Sequence, residues 1–312
     1  MSNLAPVAVI VYDRADHLRQ CLTALAAAED AEETTLYVFS DKEKDASKAA
    51  AVAAVRKVIS EARGFREVIP VLRESNYGFP GNVLEAWKFL WGKYERVIAM
   101  EDDVVVAPGF LRYMNDALEK YESDPRIHAV CGWSWASCPE DDASHYFLRS
   151  FSAWGQGRWR NKQFDQSLYP KTADEFRHSW RLLRKANNIM PHALQFIHRI
   201  AVERRPIGDI SVALECMKRD QFCVFPQHSL VKNIGHDGSG LHCTHADWVE
   251  SQKLWTEPWP GCDEIPVAEL DCHRRASVDF FGQLSVRELA RIYAPIAPLV
   301  KLWAQRRDLF GQ

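Results

Sequence analysis

Arg96-Val97-Ile98-Ala99-Met100-Glu101-Asp102-Asp103-Val104-Val105-Val106-Ala107-Pro108 is an apolar run broken by consecutive carboxylates, after which it resumes. A short apolar run bounded this way reads as a strand buried on both faces, so the acids fall at its carboxyl end. In open α/β sheets that end is where ligands bind. Adjacent negative charges repel unless a cation or a donor-rich ligand compensates them. A divalent ion is the simplest answer, and hard oxygen ligands suit Mn²⁺ or Mg²⁺, which are commonly held by one or two carboxylates plus substrate phosphates. A solvated acidic turn would not need the flanking Val97, Ile98, Val104, Val105 and Val106.

Upstream, Val7 to Tyr12 is a short apolar strand followed by Asp13-Arg14-Ala15-Asp16 and a helix with Leu18, Cys21, Leu22 and Leu25 on one face. Leu36 to Ser40 is a second strand ending at Asp41, and Asp45 to Ala62 is an alanine-rich helix. Val68 to Leu72 is a third strand, leading through the turn-rich Glu74 to Asn82 into a helix carrying Leu84, Trp87, Phe89 and Leu90. Repeated strand-then-helix units ahead of the acidic strand predict a parallel sheet with right-handed crossovers, an α/β fold.

The 312 residues are 47% hydrophobic and 26% charged, enough for a full core in one large or two small domains. A formal net charge of −3 gives no general affinity for nucleic acid. The apolar Pro6 to Tyr12 is too short for a signal peptide's core and no run reaches a membrane span, so a cytoplasmic protein is expected. The eight cysteines include no CxxC pair, which reads as reduced core thiols. His242, Cys243, His245, Cys262, Cys272 and His273 match no standard zinc spacing.

Downstream, Ile127 to Trp133 reads as a strand, and Ser150 to Trp159 places glycines between tryptophans, either a flexible surface for a sugar ring or ordinary packing. Thr172 to Arg184 and Pro191 to Glu203 look helical, and Asp209 falls where the next helix wants an N-cap. A strand at Phe222 to Phe225 precedes the loop Asn233-Ile-Gly-His-Asp-Gly-Ser-Gly-Leu-His242. From Leu284, Leu289, Ile292, Ile296, Leu299 and Trp303 alternate with Arg287, Arg291, Lys301, Arg306 and Arg307. Such a basic amphipathic tail suits peripheral contact with the inner face of a membrane or packing on the protein, with Pro295 and Pro298 breaking the helix.

Together, the strand Val7 to Tyr12 with Arg14, Ser40-Asp41, and Glu101-Asp-Asp-Val-Val-Val-Ala-Pro-Gly-Phe110 resemble a GT-A glycosyltransferase. The likeness is to the N-acetylglucosaminyltransferase I-like group and related bacterial family 2-type sugar transferases. It implies a Rossmann-like nucleotide-diphospho-sugar transferase fold with a mostly parallel sheet. Residues 1–133 would bind the donor, residues 134–283 would form the acceptor-binding and catalytic half, and residues 284–312 would be the basic tail. Tyr12, Arg14 and Asp41 would frame the nucleotide, with Asp41 accepting from the uracil N–H, and Asn76, Gly78 and Asn82 would border ribose and diphosphate. Glu101 and Asp102 would touch the donor, Asp103 would ligate the metal with His242 near it, and Asp209 would be the catalytic base. Gly208 departs from the tryptophan often found before that aspartate, and His236 competes with His242.

The implied activity is metal-dependent transfer from a UDP-linked sugar, UDP-GlcNAc among the candidates, to a glycan or lipid-linked glycan hydroxyl. Inversion and a role in cell-surface polysaccharide synthesis go with it. A sugar-1-phosphate nucleotidyltransferase shares the sheet but carries a glycine-rich loop after the first strand, and Asp13 to Asp16 holds no glycine. A non-catalytic carbohydrate-binding relative would have little use for the acid triplet.

Overall fold

The computed structural model describes residues 4–237, 252–282, 284–285 and 287–288. Its strands are β1 (Val7–Val11), β2 (Thr35–Ser40), β3 (Glu67–Leu72), β4 (Arg96–Glu101), β5 (Val104–Val106), β6 (Ile127–Cys131), β7 (His145–Leu148), β8 (Gln156–Trp159), β9 (Phe222–Pro226) and β10 (Val231–Asn233). The helices are α1 (Ala15–Ala26), α2 (Ala49–Glu61), α3 (Gly78–Trp91), α4 (Phe110–Lys120), α5 (Tyr169–Arg177), α6 (Trp180–Ile189), α7 (Ile197–Ala201), α8 (Gly208–Arg219) and α9 (Asp271–Phe281).

Among the described residues, eight strands form one sheet in the order β3-β2-β1-β4-β8-β6-β9-β7. The first four are mutually parallel, as the strand-then-helix repeats require. Pro70 lies in β3, the edge strand, where a missing N–H costs least. Beyond β4 the pattern changes: β8 runs antiparallel between β4 and β6, and β7 runs antiparallel to β9.

β4 is buried through its middle and turns at Asp102-Asp103, after which β5 leaves the main sheet to pair antiparallel with β10. The run that reads as one interrupted strand is therefore two strands in two sheets. The exit has a functional result, because β10 feeds the Asn233-Ile234-Gly235 loop back onto the acids.

Several expectations need correcting. Thr172 to Arg184 spans two helices, since Ser179 caps α6 by accepting from the N–H of Leu182 at 3.4 Å. Pro191 to Glu203 is a 3₁₀ segment followed by the short α7. Of the two readings of Ser150 to Trp159, packing holds for its last residues: Gln156–Trp159 is β8 itself, and Trp159 is buried with its indole N–H donating to the Leu118 carbonyl at 3.0 Å. Its glycines serve close packing, since a Cβ on Gly155 would meet Phe110 at 2.9 Å and one on Gly157 would meet Leu118 at 3.1 Å. All seven cysteines among the described residues are free. No described helix is long and apolar enough to cross a membrane. Apart from 284–285 and 287–288, the tail from Leu284 lies outside the described residues, as does His242.

Candidate active site

The acids are gathered by two chain segments that the sheet brings to its carboxyl edge. Asp102 and Asp103 are each only 5% exposed. Arg14, in the turn between β1 and α1, reaches across so that one Nη2 donates to Asp102 Oδ1 at 2.7 Å and to Asp103 Oδ2 at 2.6 Å. From the other side, the N–H of Ile234 donates to the Asp103 carbonyl at 2.8 Å, and Gly235 N–H donates to Asn233 Oδ1 at 2.8 Å. Gly235 is there because nothing larger fits: a Cβ would stand 2.1 Å from Asp103 Oδ2 and 2.9 Å from Arg14 Nη1.

One guanidinium serves three carboxylates, and the shortfall shows in the acids. Burial, aided by the charges of Asp103 and Asp102, pushes Glu101 up to about 8. Burial also lifts Asp102 to about 6, against the pull of Arg14. Burial works against the Arg14 charge as well, but the fields of Asp102 and Asp103 prevail and raise its pKa. Arg14 Nη1 is buried without a hydrogen-bond partner, so the cluster holds a donor still to be satisfied.

The sequence-derived nucleotide residues collect along the ends of β1, β2 and β3. Asp41 is 3% exposed and accepts from the N–H of Lys42 and of Tyr77, both at 2.9 Å. Asn76 Nδ2 donates to the Lys42 carbonyl at 2.5 Å, and the Lys44 N–H donates to the Tyr12 hydroxyl at 3.0 Å. Gly78 has φ +67° with open space where a Cβ would be, which only glycine adopts freely. Asn82 departs from its expected place beside the ribose. It is 1% exposed, accepting from Arg73 Nε at 3.0 Å and donating to the Phe39 carbonyl at 3.0 Å, and so it supports the loop from behind. A cleft of about 600 Å³ beside Arg14 is lined by Asp13, His17, Ile234 and Asp237 among others.

Asp209 approaches from the second half of the chain. It is not the helix cap: Ile207 holds the N-cap position, and Asp209 sits inside the first turn of α8, where it accepts from the next N–H, that of Ile210, at 2.9 Å. Burial raises the pKa of the carboxylate. Its charge is a minor influence on Glu101 and a raising one on His192. Sequence reading missed His192. Burial lowers its pKa, and its ring stacks on Phe281 of α9 at 5.6 Å. A lone histidine in Met190-Pro191-His192 carries no periodic signal that would have singled it out.

An aromatic wall completes the second side. Trp133 meets Trp154 at 4.4 Å, Trp135 at 4.9 Å and Phe280 at 5.7 Å, while Trp154 meets His236 at 5.8 Å. Of the glycine-tryptophan patch, Trp154 alone joins this wall.

No curated protein sequence matches the chain. Among solved structures, S. aureus TarS residues 1–349 is similar at 12% identity and TM-score 0.41, covering 73% of this chain and 59% of that one. The chain thus spans about three fifths of that structure's length. A protein of Desulfovibrio desulfuricans G20 described as a nucleotide-diphospho-sugar transferase is similar at 9% identity and TM-score 0.38, covering 71% of this chain and 78% of that one. The galactosyltransferase LgtC with donor and acceptor sugar analogs follows at 13% identity and TM-score 0.36, covering 66% and 68%. The family model for glycosyl transferase family 2 matches residues 7–189, from β1 through the acids, β8 and the end of α6. With more than half of its length matched, the chain belongs to glycosyl transferase family 2, whose GT-A fold its mostly parallel central sheet displays.

Proposed function

We propose that the protein transfers a sugar, with inversion, from a UDP-sugar such as UDP-GlcNAc to a hydroxyl of a glycan or lipid-linked glycan in cell-surface polysaccharide synthesis, aided by a divalent metal. The observation that carries this reading is the pairing of Asp102 and Asp103 on one guanidinium at the end of β4. Residues 1–133 then serve the donor and 134–283 the acceptor and the chemistry.

Asp102 and Asp103 suit a hard divalent ion: they are buried oxygen donors already held against positive charge, and their cluster is undercompensated. They offer two carboxylates rather than a complete cage, as expected where donor phosphates supply further ligands. Mn²⁺ or Mg²⁺ bound there would share the carboxylates with Arg14 or displace it, and would neutralise charge developing on the leaving diphosphate. His242, the other candidate ligand, lies outside the described residues.

The remaining roles belong to the chain's own groups. Asp41 still has acceptor capacity for a base-edge N–H beyond its two backbone donors. Tyr12, Asn76 and Gly78 border the same end of the sheet, and Arg14 Nη1 supplies an unspent donor for phosphate oxygen. Asp209 takes the acceptor hydroxyl's proton as the new bond to the anomeric carbon forms and the bond to the diphosphate oxygen breaks. Its raised pKa brings it closer to the range in which a general base works at neutral pH. Trp154, half-buried at the edge of the aromatic wall, offers a face on which a sugar ring packs.

Turnover of a panel of nucleotide sugars, with added Mn²⁺ or Mg²⁺ and again in chelator, tests the reading. Asp103→Asn should abolish the metal-dependent turnover while the protein melts normally. Wild-type activity that survives chelator, or a fully active Asp103→Asn, would overturn the metal assignment.

A further inference from the structure

Among the described residues, three metal-ligating side chains converge within 4.8 Å of one another at Cys138, Glu140 and Cys272. The place is remote in sequence from the acids of β4. Cys138 follows β6, in the loop that begins with the wall residues Trp133 and Trp135, and Cys272 is the second residue of α9. Both thiols are free, and Cys138 Sγ lies 3.3 Å from Glu140 Oε2.

We propose that Cys138, Glu140 and Cys272 form a binding site for a thiophilic divalent cation of the Zn²⁺ type, which pins α9 to the loop behind the aromatic wall. Two sulfurs and one carboxylate oxygen are a mixed donor set that suits zinc, and tetrahedral zinc needs four ligands, so water can complete the shell. With metal–sulfur bonds of about 2.3 Å, tetrahedral geometry separates two sulfurs by roughly 3.8 Å. Donors within 4.8 Å of one another stand near that spacing. As the ion binds, two thiol protons leave to solvent and two metal–sulfur bonds form, with no change of oxidation state.

The surroundings are already braced for such a site. His273, next to Cys272, directs Nδ1 at the Ala136 carbonyl at 2.6 Å and Nε2 at Asp141 Oδ2 at 2.7 Å. Gln227 Nε2 donates to the Cys138 carbonyl at 2.8 Å. Trp135 Nε1 donates to Ser277 Oγ at 2.9 Å, and Ser277 donates to the Ile189 carbonyl at 2.7 Å. The loop and the helix are thus held on both flanks of the three donors, so binding costs little ordering. The third donor is what separates this arrangement from a plain disulfide pair, since a carboxylate adds nothing to a sulfur–sulfur bond.

Titration of the reduced full-length protein with Co²⁺ tests the proposal. Thiolate-bound Co²⁺ gives a near-ultraviolet charge-transfer band that an all-oxygen site on Asp102 and Asp103 cannot give. One equivalent should saturate that band, and Zn²⁺ should abolish it. Cys138→Ser and Cys272→Ser should remove it. Glu140 is exposed, so Glu140→Ala leaves the core untouched and should weaken Co²⁺ by more than the roughly 10- to 100-fold that loss of an outer supporting group costs. Absence of the band in reduced wild-type protein would overturn the site, as would a band unchanged in the Cys138→Ser/Cys272→Ser double variant. A Cys138–Cys272 disulfide found by peptide mapping of protein alkylated at lysis would overturn it as well.

Discussion

The two halves of the sheet are built by different rules. From β3 to β4 every neighbour is parallel, and β1, β2 and β3 are each followed by a helix, so hydrophobic periodicity orders this part of the chain. From β8 to β7 the strands are mixed in direction, and buried polar pairs and aromatic contacts carry the order. Tyr113 donates to the Cys131 carbonyl at 3.0 Å, Trp159 to that of Leu118, and Trp135 to Ser277. A nucleotide is the same whatever the acceptor, so the half proposed to bind the donor can stay regular. Irregular segments are where a family can vary what it recognises.

The sharpest test of that division is Asp209, the carboxylate of the irregular half that is proposed as the base. Asp209→Asn preserves volume, and since the residue makes no N-cap bond the helix should hold. Binding of UDP-sugar should stay normal, while transfer should fall by roughly 10² to 10⁴, the range that general-base catalysis supplies. Nuclear magnetic resonance of the wild-type product should show an inverted anomer. Near-normal turnover in the variant, or a retained anomer, would move the base elsewhere and break the proposed division of labour.

How much of this was legible follows the same line. β1, β2 and β4 and the position of the acids were readable, because parallel strands buried on both faces leave unbroken apolar runs such as Val97 to Met100, and the exposed edge strand β3 still shows as the run Val68 to Leu72. β8 was not, since Gln156-Gly157-Arg158-Trp159 has neither alternation nor an apolar run. It is a strand because Gly157 lets Leu118 close over it and because β4 and β6 both need a partner. The role of Asn82 and the presence of His192 were equally hidden, for both depend on which distant atoms the fold brings near. Arg14 was readable as a site residue but not as the group that neutralises Asp102 and Asp103. That pairing spans 88 and 89 residues of sequence.

Within the donor half, Asp41→Ala should weaken UDP and UDP-sugar binding by about 1.5 to 3 kcal/mol, the usual worth of a hydrogen bond to a charged group. The same carboxylate also accepts from Lys42 and Tyr77, so the 73–78 loop should loosen in hydrogen exchange. Calorimetry showing unchanged UDP affinity would put the nucleotide elsewhere. Gly235→Ala probes the seam between the halves. A methyl 2.1 Å from Asp103 Oδ2 must push the loop away, at about 1 to 3 kcal/mol of stability, and should weaken metal-dependent donor binding. A variant as stable and as tight-binding as wild type would mean that the loop does not dock on Asp103.

The two halves should also differ in the sign of their response to pH. Glu101 has its folded pKa raised to about 8, so its contribution is complete below the unfolded value near 4.5 and is lost as pH climbs through 8. In the other half, His145 is fully buried between the Tyr121 and Ser144 hydroxyls, and burial lowers it to about 4. His128, stacked on Phe164 at 3.7 Å, is likewise held well below the usual histidine range by burial. For these the stability is complete above about 6.5 and is lost as pH falls, because the unfolded chain takes up protons that the folded one refuses. Each histidine should cost up to about 1.4 kcal/mol per pH unit below 6.5, or about 2 kcal/mol for His145 by pH 5. Urea unfolding of the metal-free protein from pH 5 to 8.5 should therefore give a dome rather than a ramp. Glu101→Gln should flatten its alkaline arm, and His145→Phe its acid arm. If both substitutions flattened the same arm, the two halves would share one titrating network, and the contrast between a regular donor side and a separately ordered acceptor side would fail.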